Sequence, residues 1–211
     1  MFKYFEFEFS KIDSTIMNFP WEDKAAYAMF LAQVYHFVKN SSRIMTCVAC
    51  RFDQDRELIH RNLIKHADEE AGHQFLAKKD LENLGYRLEE IPELYTTRQF
   101  YEPQYYKAMF HDPIGFYGYA LALEGTAVKR GQEIYQRVRK AHGEGASLFW
   151  KVHVKDDQDH VGDALKMIDQ LSDKEKDAIK DNLSQSVFGL GRMFEEIVAK
   201  KALVPKSKKS A

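Results

Sequence analysis

His153-Val154-Lys155-Asp156-Asp157-Gln158-Asp159-His160 is the stretch on which the fold turns. On a helix, His153, Asp157 and His160 stand at i, i+4 and i+7, within roughly 60° of arc. Nitrogen, oxygen and nitrogen donors on so narrow a stripe suit a divalent transition metal better than magnesium or calcium. Leu148, Phe149, Trp150 and Val152 lie just upstream, so the first turns of this helix must enter a core. Asp156 is one helical step from the stripe and is a substitute for Asp157. A polar helix face would carry the same letters, so the stripe needs corroboration from elsewhere in the chain.

Residues 65–85 supply it: KHADEEAGHQFLAKKDLENLG. Glu70 and His73 form an E-x-x-H unit, whose spacing aims a carboxylate and an imidazole at one point. His66 and Glu69 fall on the same face, the four residues spanning about 100°. Glu124 is the third signal. It sits in ALALEG (residues 120–125), inside a run that is apolar all round and therefore reads as buried. A carboxylate there costs several kcal/mol, of order, unless it is paired, protonated or bound to metal. The set Glu70, His73, Glu124, His153, Asp157 and His160 thus comes from three helices. Bundle di-iron sites use one carboxylate from each of two helices and an E-x-x-H from each of two more. Asp157 and His160 are the aspartate version of that unit. The fourth helix offers no carboxylate, because residues 21–38 carry only Glu22 and Asp23 at their start, and an extra imidazole, His153, stands instead.

The rest of the chain reads as helices. Pro20 opens a segment over residues 21–38, with Tyr27, Phe30, Leu31, Val34 and Val38 on one stripe. A second helix is expected over residues 41–52 and a long one over 56–84, stopped by Gly85. Residues 86–92 connect to a short aromatic helix over 95–110. Helices over 114–141 and 145–171 follow, and Ser172 with Glu175 is a capping box for a last helix to about residue 203. Only the first nine residues hint at a strand alternation. The expectation is one all-α domain over residues 1–205, with a basic tail at 206–211 that reads as disordered. Phe100, Tyr101, Tyr105, Tyr106, Phe116 and Tyr119 are the aromatics among which a substrate would enter.

Composition excludes several classes. Of 211 residues, 45% are apolar and 30% charged, with a net charge of −1. That balance provides a core but no broad basic field for nucleic acid. No run approaches about 18 uncharged apolar residues, so no membrane span is expected, and charges alternating with aromatics over residues 1–8 make a secretory leader unexpected. The location expected is cytoplasmic. Cys47 and Cys50 form a C-x-x-C with no second ligand pair at zinc spacing, and read as two buried structural thiols.

Glu and His on one helix, a lone Glu on a second and H-x-x-x-D-x-x-H on a third resemble the haem-oxygenase-like di-iron oxidases, which include the iron-containing redox enzymes and share a fold superfamily with thiaminase II and pyrroloquinoline-quinone synthase. The resemblance implies a haem-oxygenase-like bundle of about seven helices, often a homodimer. It further implies two iron ions (Fe/Fe or mixed Mn/Fe), molecular oxygen as co-substrate, and a small amino-acid-like or fatty-acid-like substrate, with no role for nucleic acid or membrane. The carboxylate ahead of the first ligating His is variably placed in such proteins, so Glu69 stands beside Glu70, and His66 is a further candidate. His36, the one ionisable group in its apolar run, is an additional ligand, a partner of a ligand or a core histidine. The alternative function on this fold is a metal-independent thiaminase II-like hydrolase, or a cofactor- or ligand-binding protein; the hydrolase requires a cysteine nucleophile.

Overall fold

The computed structural model describes residues 1–206, apart from the side chains of residues 156–159. Its helices are α1 (Phe2–Met17), α2 (Lys24–Ala49), α3 (Glu57–Glu69), α4 (Gln74–Asn83), α5 (Tyr95–Phe110), α6 (Phe116–Thr126), α7 (Gln132–His142), α8 (Leu148–Asp169) and α9 (Asp173–Lys200). No strand occurs among the described residues, so the all-α expectation holds. Two of the junctions join near-continuous rods. A turn at residues 70–73 separates α3 from α4, and a π-helical turn, Ala127–Gly131, joins α6 to α7.

Local structure departs from the sequence pattern in four places. The first nine residues belong to α1, because Phe5, Phe9, Ile12 and Ile16 form a buried stripe of helical period beneath the phenylalanine–glutamate alternation. Residues 38–41 do not interrupt α2. Lacking Gly and Pro, they carry one helix through 26 residues, capped at its start by Asp23, whose carboxylate accepts from the N–H groups of Ala25 and Ala26. The rod expected over 56–84 breaks at Gly72, which adopts φ +102°, a region open to glycine at little cost. The cysteines are free, Cys47 half-buried and Cys50 exposed, so the expected pair of buried thiols is corrected for Cys50.

The core wraps α2. Trp21, Phe30, Trp150 and Phe194 bring the segment before α2, α2 itself, α8 and α9 into one aromatic cluster, with ring centroids 5.0 to 5.9 Å apart around Trp21. α6 is buried on nearly every side and lies against α9. Gly118 makes that approach possible: a Cβ there would meet the Leu183 backbone nitrogen at 2.5 Å. The consequence is functional, since α6 is thereby held deep enough for Glu124 to reach the interior. No helix among the described residues is long and apolar enough to cross a membrane.

Candidate metal centre

The break between α3 and α4 is where the site is built. Glu70 caps the end of α3, and His73 precedes the first turn of α4, so the turn between the two helices carries a potential ligand at each end. His73 Nδ1 lies 3.3 Å from Glu70 Oε1. His66 stands one turn earlier on α3. From α8 come His153 and His160, two turns apart. Glu124 descends from α6, immediately before the π turn, a distortion that recurs at functional sites because it re-aims side chains.

These side chains fall into two groups with one shared member. The ligand atoms of His66, Glu70 and His160 all lie within 4.8 Å of one another, as do those of Glu70, His73 and His153. The His66 and His160 rings are 4.3 Å apart, and those of His73 and His153 are 4.9 Å apart. Glu124 Oε1 lies 3.4 Å from His66 Nε2, and Glu69 Oε2 lies 3.3 Å from His160 Nε2. Thus the structure brings together Glu70, His73, Glu124, His153 and His160, and with them the further candidates His66 and Glu69. Asp157, with its substitute Asp156, lies outside the described residues as a side chain. His36 belongs to neither group. It is half-buried, 3.8 Å from Glu93, and burial holds its imidazole below the usual range, with Lys39 acting in the same sense and Glu93 against it.

The electrostatics separate acceptor from donors. Burial works against ionisation of Glu70, yet its hydrogen bond with His73 and the nearby His73, His153 and His66 outweigh that and hold its carboxyl below the usual value. His66 is pulled down to about 4, first by burial and then by His160 beside it, which leaves a neutral imidazole at neutral pH. His153 donates its Nδ1–H to the Phe149 carbonyl at 2.8 Å. A carbonyl only accepts, so that bond places a proton on Nδ1 and orients the ring.

Do these residues fit a metal? Among the described residues, buried His66 Nε2 and His160 Nδ1 make no hydrogen bond. Buried polar atoms are nearly always satisfied, and exceptions call for an explanation. Imidazole nitrogens converging on the ionised Glu70 carboxylate, with His66 Nε2 and His160 Nδ1 unmet, match the donor chemistry of divalent iron, manganese or zinc. The residues fit.

Two spaces meet at the site. An inner cavity of about 80 Å³ runs behind Glu70, Glu124 and His153 between α2, α6, α8 and α9, with walls that are almost wholly hydrocarbon. An outer cleft of about 790 Å³ is flanked by His66, Glu69, His73 and His160, together with Lys65 and Lys155. Phe116, Ala120 and Glu124 border both. Of the aromatics expected around a substrate, Phe116 and Tyr119 line the inner cavity. Phe100 and Tyr101 are buried elsewhere, and Tyr106 is exposed. Among the described residues, no cysteine borders either space.

Residues 28–187 match the family model of the iron-containing redox enzymes. The chain belongs to that family. No curated protein matches it in sequence. Among solved structures, it is similar to a domain of unknown function with a haem oxygenase-like fold from Shewanella denitrificans OS217. That likeness covers 100% of this chain and 97% of the other, at 18% identity and a TM-score of 0.85. The bundle is therefore a haem-oxygenase-like fold, as the sequence resemblance implied. The family match spans every residue of both histidine groups, from His66 to His160.

His66 was discoverable from sequence, since it stands four residues before Glu70 on one stripe. Glu69 also carried a signal, as the acidic neighbour of Glu70.

Proposed function

We propose that this chain is an oxygen-dependent, non-haem iron oxidase that holds two ions and acts on a small organic substrate. One observation carries the reading: Glu70 belongs to both histidine groups. A carboxylate between two imidazole pairs is suited to bridge two cations, which is how paired sites in helical bundles are built. His73 and His153 would hold one ion and His66 and His160 the other. Glu124, 3.4 Å from His66, joins the second, and Glu69, 3.3 Å from His160, lies at its outer edge. Asp157 is proposed as the remaining carboxylate, from its position between His153 and His160.

Two irons, or a manganese and an iron, would supply redox equivalents for the reduction of molecular oxygen. The chain's own contribution is positional and dielectric. Glu70 is buried and kept ionised, so it offers both oxygens without a proton to lose. The Phe149 carbonyl orients His153. The apolar walls of the inner cavity keep bulk water from the reacting face, which strengthens every electrostatic interaction there. The outer cleft is the entrance, wide and polar enough to admit a hydrated substrate.

The test is metal content per chain after anaerobic loading with ferrous iron, followed by an absorption spectrum on admitting oxygen. Near two irons per chain with an oxygen-dependent spectral change is the expected result. A chain that retains no iron after desalting would overturn it.

A further inference from the structure

The inner cavity is apolar but not featureless. Tyr119 and Trp150 both line it, and both are almost fully buried, at 1% and 3% exposure. Among the described residues, neither the Tyr119 hydroxyl nor the Trp150 indole nitrogen has a hydrogen-bond partner. The other tryptophan shows the usual state: Trp21 donates its indole N–H to the Ile16 carbonyl at 2.9 Å. Leaving a buried donor unmet costs about tenfold to a hundredfold in an equilibrium constant. A chain that leaves two of them on the wall of one cavity has placed donors where a ligand can meet them.

The surroundings restrict that ligand. No lysine or arginine among the described residues lines the cavity, and its only ionisable groups, Glu70, Glu124, His153 and Tyr119, lie within or beside the proposed metal centre or hold their proton. Burial keeps the Tyr119 phenol far above its ordinary range, so it remains a donor. A charged fragment would lose its hydration without a counter-ion. The volume of about 80 Å³ is smaller than the roughly 150 Å³ that admits benzene in an engineered apolar cavity, so the fragment is short.

We propose that this cavity binds a short, uncharged, hydrocarbon-rich arm of the substrate that carries one acceptor oxygen (a ketone, ester or ether) met by the Tyr119 hydroxyl and the Trp150 indole N–H. The inference rests on the oxidase reading only in placing the reacting carbon at the Glu70 end; the binding step itself needs no metal.

The experiment uses the full metal-free chain with two probes, acetone and its methylene isostere isobutene, in which a CH₂ group replaces the carbonyl oxygen. Binding is followed by the indole N–H resonances, with Trp150→Phe assigning its own signal. The ketone is expected to bind about tenfold more tightly than the isostere and to shift the Trp150 resonance. In Tyr119→Phe, which keeps the shape and removes an unmet hydroxyl, that preference should fall severalfold while the isostere binds as before. Equal affinity for the two probes, or binding of neither, overturns the inference. Ferrous loading of the same protein is measured separately. A chain that prefers the ketone but never binds iron retains this assignment and loses the oxidase reading.

Discussion

The imidazole rings of His66, on α3, and His160, on α8, lie 4.3 Å apart. Two rings at that distance cannot both be protonated without strong repulsion, and burial adds to the penalty; the His66 imidazole titrates at about 4. Glu70 then ties this pair to the His73–His153 pair. Two imidazole pairs around one ionised, buried carboxylate form an arrangement that a cation would stabilise.

Removing the shared carboxylate should therefore differ in kind from removing one imidazole. In Glu70→Ala, ferrous iron retained after desalting is expected to drop by tenfold or more, since both groups lose a member. In His66→Ala it should fall to about half, because the His73–His153 group is left intact. Elemental analysis of the two variants beside the wild type decides this, with helicity by circular dichroism as the control on folding. Equal loss in both variants would argue against two separable sites.

The closeness of α6 and α9 depends on Gly118. A methyl group there would lie 2.5 Å from the Leu183 backbone nitrogen, a contact that only movement of helix backbone relieves. Gly118→Ala should cost about 3 kcal/mol, at the upper end for overpacking, in urea unfolding. Any outward shift of α6 also withdraws Glu124, so iron loading should weaken in the surviving folded fraction. A variant as stable as the wild type would mean that α6 is not held as described.

Much of this was legible in the sequence, for reasons that differ by residue. Glu70, His73, His153 and His160 were visible because helical spacing fixes direction, and three segments gave compatible directions. Glu124 was visible by contrast, as a charge in apolar surroundings. The break at Gly72 was not, since a glycine inside a polar helical run is tolerated as often as it terminates one, and only tertiary packing decides. The same limit hid α1: the alternation of Phe5, Glu6, Phe7 and Glu8 mimics a strand, while the longer stripe through Ile12 and Ile16 makes it a helix. His36 was left open by the sequence. Its isolation in an apolar run looked like Glu124's, but its partner is Glu93 and not the metal groups.

The start of α9 tests a purely local device. Ser172 and Glu175 cap each other reciprocally: the Ser172 N–H donates to Glu175 Oε2 at 2.9 Å, and the Glu175 N–H donates to Ser172 Oγ at 3.4 Å. Glu175 also receives Arg56 Nη2 at 2.5 Å, which ties the cap to the segment before α3. Ser172→Ala should lower stability by about 1 kcal/mol. Iron loading should be unchanged, because none of these residues borders the site. Unfolding curves and metal content measured on the same preparation separate the two effects.

Asp80 is the buried carboxylate whose titration stability should report. It lies on α4, and its two oxygens accept the N–H groups of Leu148 and Phe149 at 3.0 and 2.9 Å, capping the helix that carries His153 and His160. Burial pushes its carboxyl up to about 7, against the downward pull of those two N–H groups. An acid whose folded value stands above its unfolded one stabilises the fold fully below the unfolded value, near 3.8, and loses that contribution as pH rises through about 7. Asp80→Asn keeps one acceptor oxygen and sets an amide against the other N–H, so it should be less stable than wild type by about 2 kcal/mol at pH near 5. It has no proton to lose, however. The gap should narrow steadily between pH about 5 and 8, as the wild type alone takes on the cost of a buried charge. Comparing the two proteins at each pH cancels the titration of every other group. A gap that stayed constant across that window would mean that Asp80 is ionised throughout, with the two N–H donors and the start of α8 outweighing its burial.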